Sequence, residues 1–245
     1  MKSYAESSVR VKAEKGGEMD PGPETPRGGV EAVDRALVLL TCFRDGATSL
    51  GLAELADRSG LNKSTILRIC VSLLRRGFLE RGEDGRYRIG PALWRLGACY
   101  RDALQLPSTL RPELHRLCED IGETASFYVR DGDTRLCLFR EEPARAIRHT
   151  LQEGASLPLS YGATALVLRA FGPAWDPNLD DIRQAGHAIT RGARDPDVAA
   201  VAVPVQRQAT LLGALALSGP VHRFDAQQVE HMIRVLKQSA DRIVA

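Results

Sequence analysis

The stretch LAELADRSGLNKSTILRICV, residues 52–71, decides the fold of the first part of this chain. Apolar residues before Gly60 follow helical spacing, and a second apolar series begins at Ile66, six residues after that glycine. Ala56 lies four residues before Gly60, where a small side chain allows two helices to cross closely at a tight turn. This spacing predicts a helix-turn-helix motif over residues 52–71.

The second helix of this motif has two chemically different faces. Its apolar face starts at Ile66 and is expected to pack inward. The opposite face is small, hydroxylated and cationic, and core packing does not require those side chains. We therefore predict that this face enters a DNA major groove and contacts bases and phosphates. The predicted DNA-contacting residues of the helix are Asn62, which is also expected to cap it, Lys63, Ser64, Thr65, Arg68 and Ser72.

Local charge points in the same direction. From Arg58 to Arg88, eight basic and three acidic residues give +5, whereas the whole chain carries +2. The following stretch, FLERGEDGRYRIG, predicts two short strands around a charged turn, which is the size of a wing. Arg86 and Arg88 are predicted to reach the DNA backbone from this hairpin. A cationic surface that only meets solvent is the alternative interpretation.

The whole chain has the composition of a globular protein, with 44% apolar and 26% charged residues. Its five cysteines include no CxxC pair, which argues against a disulfide framework or a zinc site, and no cofactor is expected. No apolar run approaches the roughly 18 residues of a membrane span, and the N-terminus lacks the apolar core of a signal peptide. We therefore expect a cytoplasmic protein with no membrane contact.

Composition divides the 245 residues into four segments. Residues 1–29 are rich in proline and glycine and predict a disordered tail. Residues 30–90 hold the winged helix-turn-helix pattern, and residues 91–106 predict a connecting helix. Residues 107–245 alternate strands with amphipathic helices, which predicts an α/β domain with a mainly antiparallel sheet. The expected strands of this domain include TASFYVRDGDTRLCLFREE as a hairpin, AIRHTLQEG, VAAVAVPV and TLLGALALSG.

In their order and spacing these pieces resemble the IclR family of bacterial transcription regulators. The resemblance runs from about Val30 to the C-terminus. It rests on VEAVDRALVLL, LAELADRSGLNKSTILRI, LLRRGFLER and YRIGPALWRLG, then on ASFYVRDGDTRLCLF, GASLPLSYGATALVLRAF, VAAVAVPV and GALALSGPVHRF. It implies an α+β protein in which a winged helix-turn-helix is joined by a linker helix to a GAF-like effector domain. It also implies a small-molecule effector and homodimers or dimers of dimers on palindromic operators, usually as repressors.

At the matching positions the resemblance implies an effector pocket between sheet and helix. Ala193 and Asp197 replace the glutamate and glycine of many members, Ala216 stands where a hydroxyl is expected, and residues 172–185 are short. A less polar pocket favours a partly apolar carboxylate, such as an aromatic or acyl acid. Small residues at 162–165 would admit a carboxylate to the helix start, or would only permit tight packing. The implied pocket residues are Ser126, Tyr128, Leu138, Ala163, Thr164, Thr190, Ala200, Ala216 and Ser218.

Catalytic motifs are missing from the sequence. It contains no GxSxG, HExxH, Walker A or GxGxxG pattern. His115 and Cys118 share a helix face, but two ligands do not make a metal site. The favoured function is therefore a ligand-responsive, DNA-binding transcription regulator that is not an enzyme. The alternative is a stand-alone small-molecule sensor or enzyme of GAF-like fold whose N-terminal module binds another protein.

Overall fold

The structure is a computed structural model that describes residues 29–44, 46–106, 108–145, 151–173 and 176–245. Its N-terminal unit contains three helices and a two-stranded hairpin. The predicted disordered tail lies outside the described residues, apart from Gly29. The elements of this unit are α1 (Glu31–Thr41), α2 (Leu52–Ser59), α3 (Lys63–Arg75), β1 (Leu79–Arg81) and β2 (Tyr87–Ile89).

The turn between α2 and α3 follows the predicted pattern. Gly60 ends α2 with a φ of +69°, a conformation that favours glycine, and its amide donates to the carbonyl of Ala56 at 2.9 Å. Leu55 of α2 and Ile66 of α3 are completely buried in one core. Apolar burial at the crossing therefore fixes the direction of α3. The structure confirms the helix-turn-helix.

The hairpin is attached to the helices by a backbone bridge. Leu50 and Tyr87 exchange two backbone hydrogen bonds of 2.9 and 2.8 Å, and Leu79 pairs with Ile89 across the hairpin. Leu79 and Tyr87 are buried against the helices. The hairpin consequently lies beside the helix-turn-helix as a wing. The next helix, α4 (Pro91–Ala103), begins with proline in its first turn, where the missing amide hydrogen costs nothing.

The C-terminal unit is built on a six-stranded antiparallel sheet in the order β5-β4-β3-β8-β7-β6. Its strands are β3 (Thr124–Asp131), β4 (Thr134–Glu141), β5 (Ser156–Pro158), β6 (Ala188–Arg191), β7 (Val198–Arg207) and β8 (Thr210–Pro220). Its helices are α5 (Leu110–Ile121), α6 (Ala163–Phe171), α7 (Asp180–Ala185) and α8 (Ala226–Val244). The mixed fold with a mainly antiparallel sheet is the one predicted.

Alternation along the strands separates two cores. On β3, Phe127 and Val129 face the core shared with α5 and α8, whereas Tyr128 faces the core shared with α6. Large residues such as Leu215 fill the first core, and alanines such as Ala214 line the second. Small side chains on the second face leave room there for a cavity beside α6.

Two features of this sheet differ from the prediction. No strand forms over residues 151–154, and the rest of the expected AIRHTLQEG strand lies outside the described residues. Instead, the short β5 pairs with β4 directly afterwards. The edge strand β6 was not predicted, because only two apolar residues, Ala188 and Ile189, occupy it. Among the described helices, none has the length and apolar character that crossing a lipid bilayer requires.

Candidate functional site

The N-terminal turn of α3 presents polar and cationic side chains to solvent. Lys63, Ser64 and Arg68 are exposed, and Thr65 is half-buried. Within the part of the chain that the structure describes, no hydrogen bond or ion pair engages Lys63 or Arg68. The buried face of the helix, with Ile66, points the other way. The tip of α3 is therefore available to a partner.

Asn62 has a different local role from the predicted one. Its backbone is extended, as expected of a residue before a helix, but its side chain makes no capping hydrogen bond. The amides in the first turn of α3 consequently keep their hydrogen-bonding capacity. Free first-turn amides and the positive end of the helix dipole both favour an anion such as phosphate.

A shallow groove runs between α3 and α1. Thr65, Arg68 and Ser72 line it from α3, and Arg35 lines it from α1. Arg35 pairs with Glu31 one turn earlier on its own helix. Three of the predicted DNA-contacting residues therefore share one continuous surface with the tip of α3.

The two wing arginines differ in their surroundings. Arg86 donates to the hydroxyl of Ser49 at 3.0 Å and to the carboxylate of Glu54 at 2.6 Å. The Gly51 amide lowers the pKa of Glu54 most strongly, because it donates a hydrogen bond to the ionised carboxylate. The positive charge of Arg86 lowers the same pKa by a smaller amount. Arg88 makes one exposed ion pair with Asp84 at 3.2 Å. Arg86 thus holds the wing to α2, and Arg88 is the more exposed of the two; the DNA contact of each stays a prediction.

A cavity lies between the start of α6 and the adjoining face of the sheet. Its volume is about 70 Å³. One wall is the exposed turn of residues 192–197, so the cavity opens toward solvent on that side. The Ala163 amide donates to the Thr190 hydroxyl at 3.1 Å, which joins α6 to the edge strand β6.

Most of the implied pocket residues line this cavity. Those that do are Ser126, Tyr128, Ala163, Thr164, Thr190, Ala200 and Ser218. Leu138 does not, because it points to the other face of the sheet and packs in the core with α5 and α8. Ala216 faces α6 but is buried beneath the cavity within the second core. We therefore remove Leu138 and Ala216 from the set.

Sequence reasoning missed Arg135, which lines the cavity and is only 4% exposed. It directly follows the tip of the β3–β4 hairpin, where an arginine ordinarily meets solvent. The strand period carries the missing signal, since Arg135 alternates with Leu136 and shares its face with Cys137. Leu136 packs toward the core with α5 and α8, so Arg135 must face α6. Tyr161 and Leu157 complete this wall.

The phenol of Tyr128 in the cavity wall and the buried thiol of Cys137 in the core beside it are both held neutral. Burial raises the pKa of Tyr128 to about 12, and the neighbouring Cys137 adds to the effect. Burial likewise raises the pKa of Cys137 to about 11. Neither group supplies negative charge near neutral pH. Among the described residues, no cluster of three or more potential metal ligands occurs.

Family comparisons match both parts of the chain. The IclR helix-turn-helix domain model matches residues 32–83. The model for the C-terminal domain of the bacterial transcriptional regulator IclR matches residues 173–245. The first match contains the whole helix-turn-helix, and the second contains β6, β7, β8 and α8.

Individual proteins resemble the chain over most of its length. The HTH-type transcriptional regulator BhcR of Paracoccus denitrificans is 27% identical over 240 residues, covering 87% of this chain and 86% of the relative. The DNA-binding transcriptional repressor YiaJ of Escherichia coli is 25% identical, covering 95% and 93%. The fold matches an IclR homolog from Microbacterium hydrocarbonoxydans, crystallised with 4-hydroxybenzoate, with a TM-score of 0.74, 23% identity, and coverage of 87% and 98%.

Proposed function

The chain belongs to the IclR family of bacterial transcriptional regulators, and from this premise we propose that α3 binds operator DNA and that a small acid in the cavity changes its affinity. The observation that carries the DNA-binding part is the tip of α3. It combines exposed cations, hydroxyls and free helix amides on a surface that a major groove accepts. Lys63 and Arg68 contact phosphates or guanine edges in this proposal, and Ser64 and Thr65 make shorter contacts. Because bacterial operators lie in the cytoplasm, the proposed function implies that the protein acts there.

We propose that the chain acts as a homodimer, or as a dimer of dimers, on a palindromic operator. Exposed apolar residues support this assembly, since both α1 and α4 carry them. Val33 and Leu37 are four residues apart on α1, as are Leu96 and Tyr100 on α4, and Trp94 is 75% exposed. Exposed apolar side chains on neighbouring turns favour contact with a second apolar surface. A two-fold dimer then presents two α3 helices to two half-sites.

The proposed effector is a compact, partly apolar carboxylate. The cavity combines hydroxyls, such as those of Ser126 and Thr190, with alanines and the rings of Tyr128 and Tyr161. The Microbacterium protein of similar fold was crystallised with 4-hydroxybenzoate, an aromatic carboxylate. Titration calorimetry with aromatic acids and with two- or three-carbon acids tests the class. Tight binding of the smallest acids alone would exclude an apolar part.

We propose that the effector releases the operator and so relieves repression. YiaJ, a relative of similar length, is a repressor. The linker helix α4 connects the two units along the chain, so a change between effector domains reaches the DNA-binding heads through it. The acid must bind more tightly to the arrangement that does not fit DNA, because only differential affinity shifts the equilibrium. Catalysis has no place in this proposal.

A mobility-shift assay with the DNA upstream of the gene tests the proposal. Lys63→Ala and Arg68→Ala should each weaken operator binding by roughly 1–3 kcal/mol if they contact bases. Arg130→Ala is the matched control, because it removes one exposed positive charge from the C-terminal unit. It should bind the operator as the unaltered protein does.

The alternative function predicts the opposite result in this DNA-binding assay. A stand-alone sensor or enzyme with a protein-binding head would show no sequence preference for the upstream DNA. Its Lys63→Ala and Arg68→Ala variants would bind DNA as weakly as the Arg130→Ala control. That pattern would reject DNA recognition by α3.

A further inference from the structure

We infer that Arg135 binds the acidic group of the effector through the Nε–Nη2 edge of its guanidinium. The inference rests on the proposed function, since it concerns the same cavity, and it names the group that selects an anion there. Neither the family models nor the residues implied by the resemblance point to this position.

The burial of Arg135 is the first observation. An arginine side chain at 4% exposure has lost almost all contact with solvent, which is costly for a charge without compensation. Arg135 lies in the wall of the cavity, not in a packed core. The cavity is therefore the space from which a compensating group can approach.

The hydrogen bonds of Arg135 leave one edge of the guanidinium unused. Nη1 donates to the carbonyl of Tyr161 at 2.9 Å and also to the carbonyl of Pro158. Nε is buried and has no partner among the described residues. The Nε and Nη2 hydrogens point the same way, and a carboxylate can accept both in a bidentate pair. The two carbonyls hold the guanidinium in place for that contact.

The start of α6 faces the same edge. Gly162 precedes the helix with a φ of +93°, and a Cβ there would lie 3.1 Å from Nη2 of Arg135. The missing side chain thus keeps open the space next to Nη2. An anion in that space also meets the positive end of the helix dipole. The guanidinium edge and the helix start converge on one position.

No acidic side chain neutralises Arg135 within the described residues. Burial lowers its pKa; Tyr128 and then Tyr161 oppose this lowering, and repulsion from the nearby Arg194 adds the smallest contribution to it. Asp195 lies in the exposed turn of the cavity wall, but no ion pair joins it to Arg135. A bound acid would supply the missing negative charge. The cavity therefore discriminates against neutral ligands of the same shape.

Two aromatic rings border the guanidinium. Its carbon lies 5.9 Å from the ring centre of Tyr128 and 5.5 Å from that of Tyr161. These rings stabilise the cation weakly and form an apolar border next to the charge. A carboxylate attached to a flat apolar body matches this combination.

The test compares acids with their neutral amides. Calorimetry on the full chain measures benzoate against benzamide and butyrate against butyramide. We expect the unaltered protein to prefer an acid by about 10- to 100-fold, the range for hydrogen bonds to a charged group. Arg135→Gln should lose this preference, and Arg135→Lys should retain part of it because the charge remains. Arg130→Gln, a charge-matched change in the same hairpin, should behave like the unaltered protein.

Two results would overturn the role of Arg135. One is an acid preference that survives in Arg135→Gln. The other is an unaltered protein that binds neither acid, or binds the amides equally well. Arg135→Gln should still unfold in one cooperative transition and should bind the operator without ligand, which separates a lost contact from a lost fold. Operator binding needs no acid, so its failure would reject the proposed function instead.

Discussion

Arg68 and Arg135 both lack an acidic partner among the described residues, yet one is exposed on α3 and the other is buried in the cavity wall. Water solvates the guanidinium of Arg68, so leaving it unpaired costs little. Arg135 donates hydrogen bonds to two backbone carbonyls and contacts two aromatic rings, but it has no counter-charge among the described residues. An unpaired cation at the surface suits a large, highly charged partner. An unpaired cation in a cavity suits one small anion.

DNA and the effector are also recognised in different ways. DNA contacts at the surface are screened by salt over about 10 Å, and they add up over many phosphates. A single buried contact is screened far less and depends on shape as well as charge. The two ends of the chain therefore respond to different conditions: operator binding responds to salt, and effector binding responds to the shape and charge of the ligand.

The largest expected effect comes from the anchor beneath α3. Ile66→Ala removes a completely buried side chain from the core of the N-terminal unit and should cost about 2–5 kcal/mol of stability. Operator binding should fall with it, because the direction of α3 is lost. Benzoate binding should remain, since the cavity belongs to a separate core.

Urea unfolding followed by both binding assays measures this effect. Leu67→Ala is the matched control, because its side chain is the neighbour of Ile66 on α3 and is 43% exposed. The control should leave stability nearly unchanged. Equal losses in both variants, or loss of benzoate binding in Ile66→Ala, would contradict the separation of the two units.

A smaller effect should appear at alkaline pH in the core shared with α6, where two buried groups resist losing a proton. The pKa values of Tyr128 and Cys137 are raised to about 12 and about 11, from ordinary values of 10 and 9. The folded state thus holds these protons more tightly than the unfolded state. The resulting stabilisation is complete below the ordinary values and is lost as pH rises through the raised ones. Tyr128→Phe should lose less stability than the unaltered protein between about pH 10 and pH 12, measured by urea unfolding.

The parts predicted from sequence share one property, since their signal is local. The glycine turn at Gly60 and the apolar spacing around Ile66 lie within twenty residues, so helix period and turn chemistry revealed the motif. The long strands β7 and β8 were equally clear. The fold class, α+β with a winged helix-turn-helix and an α/β effector domain, was confirmed.

What the sequence hid depends on distant packing. In the sequence, Arg86 and Arg88 are two similar arginines of one wing. In the structure, Arg86 donates hydrogen bonds to Ser49 and Glu54, which lie more than thirty residues earlier in the chain. Leu138 lies on the face of β4 that packs against α5 and α8, which is opposite the face that borders the cavity. Arg135 is buried only because α6 and the segment before it fold over the hairpin. Strand alternation indicates on which face Arg135 and Leu138 lie, but it carries no information about the distant segments that cover each face.

The salt dependence of operator binding tests most directly that the tip of α3 docks on DNA. Log affinity should fall linearly with log salt, and Lys63→Ala should reduce that slope by about 1 if Lys63 neutralises one phosphate. Arg130→Ala should keep the slope of the unaltered protein. A flat response to salt, or identical slopes for Lys63→Ala and the unaltered protein together with unchanged affinity, would contradict docking through α3.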